Sequence, residues 1–496
     1  MKKYVLALLS LGVLIASCSK SDDDRFIDTK GLTVDSDEVL VQDFMWKAMN
    51  SWYFWQEDVP NLADDKFLDT EEGIQEYLDF LASESNPADF FDNKLSFSED
   101  RFSFYSEDYT ELTQALSGVS KSNGLEFGLV QFNDSDNIFG YVRYIIPNSD
   151  AATKDISRGE LFTKVNGNTL TTSNYIDLLF GDNDSYTLGM ASIENNQVTE
   201  NEKEVSLTKA KGLAENPVFL SKTFDINGEK IGYLVYNAFT NEYDEDLNNV
   251  FKSFNEANIQ HLVLDLRYNP GGSVNTARLL SSMIYSTDTE EVFLKARYNA
   301  KYQSFLESRN VDLNDYFGDE TSDGSAINSL NLSKVYVLAT NSTASSSELV
   351  MNGLAPYIDV VHIGENTRGK NEFSVTMVDD KENDYIYNPA RINNINSKNK
   401  WAIQPLIGRN ENADGFYDYT SGLVPDIDLE EDLDNLGVLG DENEPLLARA
   451  IQEITGASSK RDFTVKMPAK IMTSSKMFTV LKDNMFLDKP LKLSTN

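Results

Sequence analysis

The second half of the chain constrains the fold most, because its hydrophobic residues switch between two periods. Ile231 to Tyr236 reads as a strand, Leu247, Val250, Phe251 and Phe254 then share one helical face, and Leu262-Val263-Leu264-Asp265-Leu266 is a continuous apolar strand. Leu279, Leu280, Met283 and Ile284 return to helical spacing, and Val335-Tyr336-Val337-Leu338-Ala339 is strand again. A strand buried on both faces is apolar throughout, whereas a helix covering a sheet shows one stripe. Strand, helix, strand, helix, strand therefore predicts an α/β core with parallel pairings beyond about residue 218.

At 496 residues the chain exceeds one ordinary core. Val41, Phe44, Met45, Ala48 and Trp52 recur at helical spacing, which predicts a helical region over 36–112, and its cluster of Trp46, Trp52, Tyr53, Phe54 and Trp55 reads as core packing. Residues 113–212 read as short strands separated by turns, with Asn166-Gly167 marking a tight hairpin. The α/β unit occupies 213–442, and 443–496 forms an extension with one helix over Leu446 to Ile454 and extended segments whose role the sequence leaves open.

Met1-Lys2-Lys3 followed by an apolar run from Tyr4 to Ala16 is too short to span a bilayer and predicts a signal peptide over 1–17. The run ends in Ile15-Ala16-Ser17-Cys18, which resembles a bacterial lipobox and makes Cys18, the only cysteine, the expected lipid carrier. No intrachain disulfide is then possible. A polar linker over 18–35 follows; its short acidic run resembles the surface-export signal of some Gram-negative lipoproteins and equally fits a solvated linker, which leaves either face of the outer membrane as the expected location. Lys and Arg number 43 against 80 Asp and Glu, a net charge of −37, the reverse of what a nucleic-acid partner requires.

Reactive groups in open α/β sheets gather where strands meet helix N-termini. Two such places stand out. Asp265-Leu266-Arg267-Tyr268-Asn269-Pro270-Gly271-Gly272 follows the most apolar strand; its glycines suit either an oxyanion hole or a tight strand-to-helix turn. Thr340 to Glu348 follows the next strand, and Ser345 there fits either a nucleophile or an N-cap in a capping box with Glu348. His261 and His362, the only histidines, lie at the edge of or within apolar strands and read as structural, which leaves a Ser-His-Asp triad without support and a three-histidine zinc site impossible. Lys370 is the remaining base, in a loop past the Val360–Gly364 strand; as a base it has to be neutral, so burial must pull its pKa down from about 10.4. An exposed loop lysine is the alternative.

Together these blocks resemble the C-terminal processing peptidases, a Ser-Lys family carrying a PDZ domain. The Asp265–Gly272 run matches the family's Asp-Leu-Arg-x-Asn-Pro-Gly-Gly block, Thr343 to Glu348 is similar to its nucleophile block, and Gly422-Leu423-Val424-Pro425-Asp426 resembles its closing Gly-x-x-Pro-Asp element. Gly364-Glu365 followed by Gly369-Lys370 resembles the segment bearing the base, and the spacing of twenty-five from Ser345 to Lys370 selects Ser345 over Ser346 and Ser347. Gly124-Leu125-Glu126-Phe127-Gly128 looks like a PDZ carboxylate-binding loop, with Ser149 to Ala152 and Arg158 to Gly167 matching later PDZ elements.

The resemblance implies a multidomain α/β and β architecture: an N-terminal helical region, a PDZ-like β domain and an α/β, ClpP/crotonase-like peptidase core. It implies Ser345 as nucleophile, Lys370 as base, an oxyanion hole from Gly271 or Gly272 with Ser346, and peptide-terminus binding at 124–128. No metal or cofactor is required; polypeptides are the expected substrates and the membrane is reached through lipid on Cys18. The family often places a glutamine four residues past the lysine. Here that position is Ser374, leaving Ser374 or Glu372 to orient Lys370. The other class of function is a catalytically silent lipoprotein that binds peptides or another ligand.

Overall fold

The computed structural model describes residues 32, 36–456, 463–479 and 482–488. The expected signal segment, Cys18 and most of the linker lie outside these residues.

A six-stranded sheet forms the centre, in the order Val218–Ile226, Glu229–Tyr236, His261–Asp265, Lys334–Ala339, Asp359–Gly364 and Ile427–Asp428. The first pair is antiparallel and the rest are parallel, as the alternating periods predict. The strands are apolar on both faces because both are covered. Leu262 and Leu264 pack with Leu247, Phe251, Leu279, Leu280 and Leu349 of the helices Asp244–Ala257, Val274–Ile284 and Ser346–Leu354. Val263, one residue out of phase, packs with Leu446, Leu447 and Ile451 of the helix Pro445–Thr455. Ala339 is in register with Gly364, so the chain leaves both strands at the same sheet edge, the one bearing Ser345 and Lys370.

The N-terminal stripe forms the helix Leu40–Trp52. Its aromatics join the same core: Trp46 meets Tyr77 edge-on at 5.1 Å and Trp52 meets Tyr302 at 4.6 Å. A β unit lies between, with strands Leu125–Gln131, Ile138–Ile145, Leu161–Val165, Ser185–Glu194 and Gln197–Thr208 paired antiparallel in that order. Asn166 and Gly167 form its tight turn, both with positive φ. The last two strands, of 10 and 12 residues, are longer than the short segments the sequence suggests. Tyr186, Leu188, Met190, Val205 and Leu207 alternate inward, and beyond them backbone pairing carries the hairpin on through largely solvent-facing residues.

The segment past residue 463 has an unexpected course. Ile471–Ser474 adds antiparallel to the edge strand Leu125–Gln131 of the β unit. Met485–Phe486 then enters a second sheet between Gly272–Ser273 and Glu372–Ser374, parallel to both.

Candidate active site

Ser345 ends the loop after Lys334–Ala339 and starts the helix Ser346–Leu354. Its φ of 65° and ψ of −117° lie outside the regions L-residues prefer, a strain of about 1–3 kcal/mol that surrounding contacts must hold. Those contacts run to the Asp265–Gly272 loop. Thr343 Oγ1 donates to the Leu266 carbonyl at 2.8 Å, Ala344 N and Ser347 Oγ donate to the Asn269 carbonyl, both at 3.1 Å, and Ser346 Oγ donates to the Gly272 carbonyl at 2.8 Å. The Ser345 hydroxyl itself is buried with no hydrogen-bond partner among the described residues. A hydroxyl kept dry and unengaged is costly for stability, and such sites mark chemistry.

Glu348 does more here than close the expected capping box with Ser345. Glu348 Oε2 accepts the Ser345 N–H at 2.7 Å, but the same carboxylate also accepts Lys370 N–H at 2.9 Å, Gly369 N–H at 2.7 Å on Oε1, and the Thr367 hydroxyl. Because Ser345 N and Lys370 N share one oxygen, the two nitrogens are no further apart than those bonds laid end to end. Glu348 thus clamps the serine loop to the lysine loop. Burial pushes its carboxyl up to about 7, against the four donors that favour the anion.

Lys370 is 1% exposed, not the surface lysine of the alternative reading. Burial lowers its pKa to about 8, resisted by the charges of Asp483, Glu372, Asp100 and Glu348. Its Nζ donates to the backbone carbonyl of Asp483 at 2.6 Å and sits 5.0 Å from the ring centre of Phe102. Arg101 donates to the Gly369 carbonyl and to that of Thr420 at 3.2 Å, which fastens the N-terminal segment over the lysine loop. Of the two residues considered for orienting Lys370, Glu372 acts on it through charge, while the Ser374 hydroxyl donates to Gln404 Oε1 at 2.6 Å. A glutamine thus stands beside position 374, supplied by the strand Ala402–Gln404.

The oxyanion candidates divide. Gly271 has φ +107°, and a Cβ there would lie 2.6 Å from Ser345 Cβ and 2.9 Å from its Oγ, so only glycine lets the loop approach the hydroxyl. Its N–H donates to Asn269 Oδ1 at 2.9 Å, whereas Gly272 N–H donates to the Asn484 carbonyl at 2.6 Å. Neither amide is open in this arrangement. Ser346, at the first turn of its helix, is fully buried. At the other expected site, Leu125–Gly128 are strand residues rather than loop. Gly124 N–H and Leu125 N–H donate to Ser122 Oγ and Asn123 Oδ1, both at 3.0 Å, and Phe127 N–H donates to Ser475 Oγ, also at 3.0 Å. His261 pairs with Glu229 at the far end of its strand from Asp265, and burial lowers the pKa of His362.

The sequence reading used Glu348 only as a cap and passed over Phe102, Gln404 and the 483–488 segment. The first carried a signal, a carboxylate three residues after a candidate nucleophile. The others carried none, since their roles arise from distant strands meeting.

A buried hydroxyl at a helix start, clamped beside a buried lysine at the carboxyl edge of a parallel sheet, describes a serine-hydrolase-type site. Residues 230–406 match the model of peptidase family S41, and residues 41–104 match that of the peptidase S41 N-terminal domain. The chain thus carries segments similar to both the peptidase domain and the N-terminal domain of family S41. It is similar to a carboxyl-terminal-processing protease of Picosynechococcus sp., 27% identical over 158 residues, which are 32% of this chain and 33% of that protein; the match spans about a third of the relative's length. A crystal structure of a Bacteroides fragilis protein assigned to the S41 proteases superposes with a TM-score of 0.62 at 26% identity, covering 84% of this chain and 97% of that one. The photosystem II D1 C-terminal processing protease aligns over 84% of this chain and 97% of its own, at 18% identity and a TM-score of 0.46.

Proposed function

We propose that the chain is a serine endopeptidase acting on exported or unfolded polypeptides through a Ser345–Lys370 dyad. Neutral Lys370 Nζ takes the Ser345 hydroxyl proton as the serine oxygen bonds to a peptide carbonyl carbon. The carbonyl electron pair moves onto oxygen, held by the Ser346 N–H and by the N–H of Gly271 or Gly272 once it leaves its present acceptor, at about 3 kcal/mol per donor. The intermediate collapses, the C–N bond breaks, and Lys370 returns its proton to the leaving amine. Water then repeats the sequence on the acyl-enzyme, with Lys370 again as base.

One observation carries this reading: Ser345, whose buried hydroxyl has no partner among the described residues, is tied through its N–H and Glu348 to the loop of a buried lysine. Ser345→Ala and Lys370→Ala, each checked for an unchanged melting temperature, are expected to lower hydrolysis of an unfolded polypeptide by about a thousandfold or more. Full activity in either removes the dyad.

The second reading, a catalytically silent peptide-binding lipoprotein, draws on the Lys370 amine being engaged by the Asp483 carbonyl. An acylating serine probe separates the two, since only an activated Ser345 takes the label. We also propose that 113–212 is a PDZ-like domain, that 213–442 is a ClpP/crotonase-like core, and that lipid on Cys18 holds the protein at the outer membrane. Palmitate labelling of the wild type but not Cys18→Ser tests the last.

A further inference from the structure

The segment 471–488 touches both places where an extended peptide would dock. At the β unit, Ile471, Thr473 and Ser474 stand opposite Val130, Leu129 and Gly128 on the outer edge of Leu125–Gln131. Ser475 Oγ accepts the Phe127 N–H and donates to Glu126 Oε2 at 2.6 Å, and Phe478 stacks on Phe180 at 3.8 Å. An exposed strand edge with flanking apolar contacts is how β units take peptides by strand addition. Here the edge is already filled.

The same segment then runs past the reactive serine. The Asp483 carbonyl takes the Lys370 amine, and the next carbonyl, of Asn484, takes the Gly272 N–H. That Asn484 oxygen lies 2.4 Å from the point where a Gly271 Cβ would be, and Ser345 Oγ lies 2.9 Å from the same point. Met485 and Phe486 pair with Gly272 and Ser273, Leu487 N–H donates to the Ser374 carbonyl at 2.9 Å, and Asp488 Oδ2 accepts from Ser273 Oγ at 2.7 Å and from Asn241 Nδ2 at 3.1 Å. The base, one oxyanion donor and the substrate-side strand edge are therefore all satisfied by main-chain atoms of the protein's own tail.

Resting on the peptidase reading above, we propose that residues 471–479 and 482–488 act as an intramolecular strap that occupies the β-unit edge and the approach to Ser345, so that a polypeptide enters only when the strap leaves. A peptide competing with a tethered occupant binds with an affinity reduced by the fraction of molecules in which the occupant is out. The full-length chain is then latent toward scarce or weakly binding peptides. Long unfolded polypeptides, which engage the β-unit edge and the cleft together, displace the strap most readily.

The test pins the tail without removing it. Asn241 and Asp488, both half-buried and in side-chain contact, are replaced by cysteines in a full-length Cys18→Ser background. Two readings are taken from oxidised and reduced protein: hydrolysis of an unfolded polypeptide and, with Ser345→Ala added, uptake of a fluorescein-labelled peptide of sequence 470–488. The expected result is that oxidation lowers both by at least about tenfold and that dithiothreitol restores both. Measurable hydrolysis that is equal in the two redox states, or equal uptake in both, overturns the strap, as does a reduced form that takes up no peptide. Uptake that follows redox state while neither form hydrolyses anything leaves the strap standing and removes the peptidase reading. Should the cysteine pair fail to fold, Phe478→Asp in the full chain, at a ring 37% exposed, is expected to raise peptide uptake several-fold. No increase in a folded Phe478→Asp protein overturns the proposal.

Discussion

Burial makes Lys370 a different acid from a surface lysine, and the sign of its shift gives a direct expectation. With a pKa of about 8, the neutral form grows as pH rises through that value, so kcat/KM on an unfolded polypeptide should climb with a midpoint near pH 8 and then level. Lys370→Arg keeps the charge at every accessible pH and should cost at least about 100-fold. The group also acts on stability: the unfolded chain holds the proton between about 8 and the ordinary lysine value, so Lys370 makes the fold gain stability as pH rises across that window. Glu348→Ala strips the acceptor from three buried N–H groups and one hydroxyl. At about 1–3 kcal/mol for each unsatisfied group, the expected loss exceeds 3 kcal/mol, visible in a urea melt, and hydrolysis should fall with it. Ser345 and Lys370 stand out in the sequence as reactive side-chain types in recognisable blocks, and the structure buries both at one end of the sheet. The Ser345 backbone strain does not stand out there, since φ leaves no mark on residue identity.

Among the elements, the turn after His261–Asp265 has no room for a side chain at Gly271. Gly271→Ala places a methyl within 2.4 Å of the Asn484 carbonyl and 2.6 Å of Ser345 Cβ, at a φ that L-residues avoid. Serine-probe labelling should therefore fall by about tenfold or more, while the sheet, whose strands lie outside the turn, should keep its far-UV circular dichroism. The strands and helices of the α/β core were readable because each is long and buried on a regular face. The paired strands Ser185–Glu194 and Gln197–Thr208 were read too short because solvent covers much of both. Glu372–Ser374 and Met485–Phe486, of three and two residues, are below the length at which alternation is a signal. Met485–Phe486 pairs with Gly272–Ser273 and with Ser374, all more than a hundred positions away, which is why the course of the tail stayed hidden.

Across the whole molecule, buried charge joins the β unit to the core. Arg158 reaches Glu431 at 2.9 Å and the Tyr268 hydroxyl at 2.7 Å, and Arg267 reaches Asp265, Glu431 and Glu444. Burial alone would raise Glu431, but Arg158 and Arg267 outweigh it and hold the carboxyl at about 2. Its contribution is present above the ordinary carboxylate value and is lost as pH falls through about 2. Glu348, Asp244 and Glu365 are each pushed by burial to about 7, so the folded chain holds their protons longer and loses stability as pH rises toward 7. Melting temperatures across pH should therefore peak on the acid side of neutrality, and Glu431→Gln should flatten the acid limb. The cover over Lys370 has a further consequence for synthesis. Phe102 is made early, yet Arg101 fastens that stretch to the carbonyl of Thr420, which the ribosome adds some three hundred residues later. Until then that cover cannot close over the amine, so the burial that lowers its pKa is a property of the completed fold and not of the growing polypeptide.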